Sequence, residues 1–539
     1  MHMKRIIISV LAIGIACISA SAQSKDFKLG QWSEIENSIV KELNKWYVDS
    51  LPVDRMHRAA IDAMLNELDP YTVYVPEEEN EDMEMLINKT YGGIGAVIYK
   101  AGREEPLYIN EPYAGSPAAK AGLVCGDEIL AVDGFLTKGH LAAECTEKMK
   151  GKPGTQVVFH VRKVRTGEEC DVTVTRERIH LPDVEYAGML DKETGYILQT
   201  GFTDNVSNDI RNAVVDLKKQ GMKKLILDLR GNGGGLLNEA VNIVGLFVPK
   251  GSVVVTQRGN NDEEVVMKTS NNPVDTEIPI VVLVDSGSAS ASEIVSGALQ
   301  DYDRATIMGH RTYGKGLVQS FRKLPYNGSM KLTIAKYYTP SGRCVQALDY
   351  SHRNEDGSVG AIPDSLTHEF KTAGGRIVRD GGGITPDVKL QEVNYSRLTY
   401  SIVLNGIVEQ YALKYAMAHE SIPAVDDFHF SDKDYEDFIG FAKTKEFDYR
   451  SSARTLFDQM KKELEKDGLK ENMKDELAAL EKALEMDKET FLRLKKDEVI
   501  PFIEEEIVVR YYFQEAGVRI RTRYDAQLQE AMKADLIKL

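Results

Sequence analysis

The sequence predicts a multidomain α/β protein: a helical N-terminal region, an inserted and mostly β module, an α/β core and a helical C-terminal extension. Three observations predict it. Apolar residues recur at helical spacing near both ends, alternating strand patterns broken by glycine turns fill the stretch from Tyr91, and strand and helix signals alternate from Tyr196 to about Gln391. At 539 residues the chain is long enough for several domains with sizeable cores.

The chain opens on MHMKRIIISVLAIGIACISASAQ. Lys4 and Arg5 precede an apolar run and then Ala20-Ser21-Ala22, the pattern of a secretory signal peptide over 1–22, cut near Ala22. The run falls short of the roughly 18 apolar residues of a spanning helix, so a periplasmic or secreted protein is expected. Cys17 opens a lipoprotein reading, but Gly14-Ile15-Ala16 lacks the usual apolar residue three positions upstream. Cys125, Cys145, Cys170 and Cys344 form no C-x-x-C pair and no zinc spacing, so buried thiols are expected, with a disulfide left open by the compartment. A net charge of −16 argues against nucleic-acid or anionic-membrane binding through bulk electrostatics.

Residues 23–88 carry WSEIENSIVKELNKWYVDSLPVDRMHRAAIDAMLNELDPY, helices broken at Pro52 and stopped at Leu68-Asp69-Pro70. Residues 89–180 hold GGIGAVIYK, LYINEPYAGSPAAKAGLVCGDEILAVDG, QVVFHVRKV and CDVTVTRERI, short strands with one brief helix. Over 181–394 the strands GYILQT, KKLILDLR, IPIVVLVD, RATIMG and MKLTIAKYYTP are interleaved with helices over DIRNAVVDLKKQ, after GNGGG and after the serine-rich stretch. A run such as IPIVVLVD suits a strand covered on both faces. Residues 395–539 are helical and rich in Lys and Glu, without a sustained heptad, and read as packing or assembly surface.

Several chemistries find no pattern here. Ten histidines include no H-E-x-x-H, and GNGGGLLNEA lacks the lysine of a phosphate-binding loop, leaving a glycine turn whose N–H groups suit an oxyanion. The S-x-x-K matches Ser38 to Lys41 and Ser320 to Lys323 have no accompanying K-T-G. DSGSASASEIVSG, residues 285–297, sets Ser288, Ser290 and Ser292 at alternate positions ahead of Glu293; spacing alone does not rank them, and a tight loop would read the same way. Lys315 stands between glycines in GHRTYGKGLVQSF, and a lysine that acts as a base needs burial to lower its pKa. Read blandly, it is a loop lysine. Gln319 would lie about 13 Å from it along a straight strand, so the two meet only if the chain bends.

The blocks LDPYTVYV, YGGIGAVI, GSPAAKAGLVCGDEILAVDG, LILDLRGNGGGLL, VLVDSGSASASEIVSGALQD, TYGKGLVQS, LTIAKYYTPSGR and GITPDV, in this order through about residue 390, resemble the C-terminal processing peptidases, or tail-specific proteases. The resemblance implies a crotonase-like α/β protease core, an inserted PDZ domain and neither cofactor nor metal. It implies Ser290 as nucleophile, Lys315 as general base and Gln319 as the residue orienting it. The oxyanion donors would be the N–H groups of Ala291 and Gly235, with Glu293 in a supporting or helix-start role and Ser288 and Ser292 packing or hydrogen bonding. Gly92, Gly93, Ile94, Gly95 and Ala96 would hold a peptide's terminal carboxylate, the adjoining strand pairing with the peptide. Partners would be proteins or peptides bound by their C-terminal tails, with an adaptor and a homo-oligomer left open. His310 stands where many members carry an acidic or other residue, and reads as a strand-end histidine or a competing base. The alternative is a non-catalytic, peptide-binding scaffold, against which the retained Ser290, Lys315, Gln319 and glycine turn argue.

Overall fold

The computed structural model describes residues 25–79, 85, 89–260, 263–354 and 356–534; the expected signal peptide and Cys17 lie outside them. Two compact units, 1–74 and 75–539, divide the chain. In the first, helices Lys25–Trp46 and Val53–Asn66 flank Pro52, which sits at the start of the second helix, where its missing N–H costs nothing. Asp69 then accepts the N–H groups of Tyr71 and Thr72, turning the chain out of helix. Among the described residues no helix is long and apolar enough to cross a membrane.

The second unit is built on a sheet in the order Val184–Met189, Thr194–Gln199, Lys224–Asp228, Ile280–Val284, Thr306–Gly309, Val388–Lys389. The first pair is antiparallel and the rest are parallel. Every residue of Ile280–Val284 is buried, as its unbroken apolar run requires. Ile197, Leu225, Leu227, Val282, Val284 and Ile307 point to one face, which helices Val206–Lys219, Leu237–Val244 and Ala291–Asp301 cover. Leu198, Ile226, Val281, Leu283 and Met308 point to the other, against Val518, Leu528 and Ala531. The second cover therefore comes from the C-terminal extension, through helices Lys496–Tyr524 and Ala526–Lys533.

The first of these helices bends at Phe513 (φ 67°, ψ 179°), a conformation that side-chain-bearing residues rarely adopt. Gly517 fits the bend: a Cβ there would lie 2.5 Å from Val509 Cγ2. Val499, Ile503 and Ile507 ahead of the bend pack with Tyr411, Tyr435 and Phe438 in a separate helical core.

The inserted module is a sheet in the order Ala96–Tyr99, Leu107–Pro112, Glu128–Val132, Gln156–Arg162, Glu169–Thr175, closed over Ile109, Leu123, Phe159 and Val161. Two helices, Pro117–Lys120 and Ala142–Met149, replace the single one expected; the second buries only Cys145 and Met149, too short a stripe to stand out in sequence. Val253–Gly259, Glu264–Lys268, Leu317–Lys323 and Ser329–Tyr338 form a further antiparallel sheet beside the core.

Candidate active site

Ser290 caps the N-terminus of helix Ala291–Asp301, at the end of the buried strand Ile280–Val284. Its φ of 56° and ψ of −111° are strained for a residue with a side chain, a cost on the order of 1–3 kcal/mol that only the surrounding bonds can hold. The flanking serines supply some of them. Ser288 Oγ donates to the Leu229 carbonyl at 2.7 Å and Ser292 Oγ to that of Asn232 at 2.8 Å, lacing the stretch to the turn after Lys224–Asp228. Asn232 orders that turn: its side chain donates to Gln199 O and accepts from the Gly234 N–H, while its carbonyl accepts from Ala289 N.

Gly234 is the glycine packed on the serine, and Gly235, the expected oxyanion donor, follows it in the same turn. A Cβ on Gly234 (φ 95°) would lie 2.9 Å from Ser290 Cβ and 2.9 Å from Ala291 N, so only glycine lets the turn approach. Gly235 turns instead onto Phe202, where a Cβ would meet the carbonyl oxygen at 2.5 Å. Ala291, at the helix start, is buried beside this turn.

Glu293 joins the two halves of the site. Its Oε2 accepts from Ser290 N at 2.8 Å and Lys315 N at 2.9 Å, and its Oε1 from Gly314 N at 2.8 Å and Thr312 Oγ1 at 2.6 Å. Four donors match the four lone-pair sites of one carboxylate. The side chain is fully buried, and that burial, opposed by these hydrogen bonds, pushes its pKa up to about 7. Tyr337, also buried, donates its hydroxyl to Lys315 O at 2.6 Å and Ser290 O at 3.1 Å.

The structure thus brings Ser290 and Lys315 together, although 25 residues separate them, with Lys315 half-buried. The chain does bend there: Gly314 (φ 87°) packs on Ala347, and Gly316 N donates to Gln346 Oε1 at 2.8 Å. Gln319 lies on strand Leu317–Lys323, just past a register shift, and its amide donates to Thr333 Oγ1 at 3.2 Å. His310 follows strand Thr306–Gly309 and lines a cavity of about 1020 Å³ between the sheet and the C-terminal helices, with Asp228, Arg230, Asp285, Phe502 and Asp525.

In the inserted module, Gly92 and Gly93 belong to strand Thr90–Gly93, paired with Glu177–His180, so the expected five-residue loop shortens to Ile94 and Gly95. Ile94 is buried in the module's core and Gly95 (φ 68°) packs on Ser116. Ala96 opens the strand Ala96–Tyr99, which ends the sheet with one edge unpaired by it. Sequence reasoning left Gly234, Thr312 and Tyr337 without roles. All three lay inside the quoted blocks, and a tyrosine in a strand ordinarily signals packing alone.

Residues 193–351 match the family model "Peptidase family S41", 108–163 match "PDZ domain", and 398–534 match "Probable PDZ-protease, C-terminal helical domain". A "Probable CtpA-like serine protease" of Staphylococcus aureus is 37% identical over 316 residues, 58% of this chain and 62% of that protein. One of Staphylococcus epidermidis is 34% identical over 339 residues, 61% of this chain and 67% of that protein. The matches to the Staphylococcus aureus relatives thus span just under two thirds of their length. A solved "photosystem II D1 C-terminal processing protease" is similar at 27% identity, covering 65% of this chain and 86% of that one, with a TM-score of 0.35.

Proposed function

The chain belongs to peptidase family S41, and from that membership we propose that it is a serine endopeptidase which takes protein substrates by their C-terminal tails and cuts them through a Ser290–Lys315 pair. One observation supports the mechanism: the main-chain amides of Ser290 and Lys315 meet on a single oxygen of Glu293, so the two residues stand side by side. Ser290 Oγ attacks the peptide carbonyl carbon while neutral Lys315 Nζ takes its proton; the C–N bond breaks and the lysine ammonium protonates the departing amine. Water then attacks the acyl-enzyme, giving a proton to Lys315, and the hydroxyl of Ser290 is restored. The Ala291 N–H and an N–H of the turn at Gly234 and Gly235 are the candidate oxyanion donors. Gln319, just past the register shift at Val318, is the candidate for orienting the lysine.

The PDZ domain supplies the tail site in this reading. Its strand Ala96–Tyr99 has an edge open for a peptide strand, beside the Ile94–Gly95 turn that would face the terminal carboxylate. Holding a tail there raises its local concentration at the serine. The leader sequence supports export to the periplasm, which cell fractionation tests. The mechanism is tested with wild type, Ser290→Ala and Lys315→Ala on a protein carrying or lacking an apolar C-terminal tail. Both variants should be inactive and the tailed substrate preferred; equal cleavage by Ser290→Ala would overturn the mechanism, and indifference to the tail would remove the PDZ role.

A further inference from the structure

We propose that Tyr337 is a positioning residue for this pair: its buried hydroxyl, shared between the main-chain carbonyls of Ser290 and Lys315, fixes how far apart the nucleophile and the base can stand. The inference rests on the Ser–Lys reading above.

Two carbonyl oxygens at 2.6 and 3.1 Å from one hydroxyl are at most about 5.7 Å apart, the sum of the two contacts. Glu293 Oε2, at 2.8 and 2.9 Å from the two amide nitrogens, imposes the same ceiling on those. Both residues are therefore held at the N–H and the C=O, by two different side chains from two different elements. Tyr337 comes from strand Ser329–Tyr338 and Glu293 from the helix that Ser290 caps. Tyr337 N also donates to Gly316 O at 3.0 Å, which binds the strand to the far side of the lysine.

A phenylalanine would fill this apolar site equally well, so the hydroxyl is the informative atom. It carries one hydrogen, held by the shorter contact to Lys315 O and shared with Ser290 O. Burial first, and then the nearby Glu293 carboxylate, hold the phenol's pKa far above its ordinary value. It stays a donor wherever the enzyme is folded, and any pH dependence gained on its removal belongs to another group. Without it, the two carbonyls face each other with no donor between them and separate or recruit water. A displacement of about 1 Å between reacting groups can cost on the order of 100-fold in rate.

The test compares wild type, Tyr337→Phe, Tyr338→Phe, Ser290→Ala and Lys315→Ala on a quenched fluorescent peptide with an apolar C-terminus, and by the rate of labelling with a fluorophosphonate. Tyr338, on the opposite face of the strand and stacked under Arg258, is the matched control. Tyr337→Phe should lower kcat about 10- to 100-fold with KM within about twofold, and slow labelling by the same factor. Tyr338→Phe should match wild type, and 3-fluorotyrosine at position 337, which restores ring and hydroxyl, should recover the rate. A Tyr337→Phe enzyme that melts earlier but keeps kcat and labelling rate would make Tyr337 a plain core residue and overturn the inference. An active Ser290→Ala would bring down the dyad reading and this inference together, whereas an inactive Ser290→Ala beside a fully active Tyr337→Phe overturns the inference alone.

Discussion

Glu293 in the protease core and Glu111 in the PDZ domain are both buried and both pushed by that burial to a pKa of about 7, yet their surroundings are opposites. Glu293 meets four neutral donors and both of its oxygens are satisfied. Glu111 lies on strand Leu107–Pro112, paired with the strand Ala96–Tyr99 at Val97, and faces the C-terminal helices. There Gln514 donates to its Oε2, Arg510 lies close, and Oε1 has no hydrogen-bond partner among the described residues. Arg510 also donates to Asn110, to the Glu409 carbonyl and to Glu506, so one cation serves three carboxylates at this contact. A buried acid surrounded by fixed dipoles makes a rigid joint. One left short of donors makes a joint whose strength follows pH and packing.

Four substitutions break or sharpen that contrast. Glu293→Gln gives the largest effect: an amide cannot accept at both ends, so even with its nitrogen turned to the Thr312 hydroxyl it opposes the Gly314 N–H, and kcat/KM should fall about 1,000-fold, some 4 kcal/mol, with the fold retained by circular dichroism. Arg510→Met leaves the carboxylates of the PDZ–helix contact without their cation; chemical denaturation should show a loss of about 3 kcal/mol, and hydrogen exchange should quicken over Leu107–Pro112.

Glu111→Gln should act in the opposite sense. With its folded pKa about 7 against an ordinary 4.5, the folded protein holds a proton that the unfolded chain has released between those values, so its contribution to stability falls as pH rises through that window. The variant should gain about 2 kcal/mol at about pH 8 and nothing at about pH 4, read as melting temperature. Ser290→Gly, which removes the nucleophile as Ser290→Ala does, gives the smallest change in stability: a gain of about 1 kcal/mol relative to Ser290→Ala, because glycine adopts the positive φ without strain.

The all-apolar strand Ile280–Val284 announced two covered faces, and the helices on the first face could be read from the alternation around it. What covers the second face was not legible, because Val518, Leu528 and Ala531 lie more than 200 residues further on in a Lys- and Glu-rich tail whose composition mostly reports its outer surface. The three alternating serines could not be ranked by spacing either. Their division of labour depends on φ at Ser290 and on carbonyls at Leu229 and Asn232 that only the folded turn brings near. Motif resemblance carried Ser290 and Lys315, but the atoms that hold them, on Glu293, Thr312 and Tyr337, are a property of three elements meeting.

The covering of the sheet also fixes an order of events during synthesis. Strand Thr306–Gly309 is made about 220 residues before Ala531, which at 5–20 residues per second is a delay of roughly ten to forty-five seconds. Throughout that interval Leu198, Ile226, Val281, Leu283 and Met308 have no permanent cover. The sheet that carries the candidate site is thus among the last parts of the molecule to be sealed, and a chain stopped short of the bend at Phe513 would carry it with one sticky face.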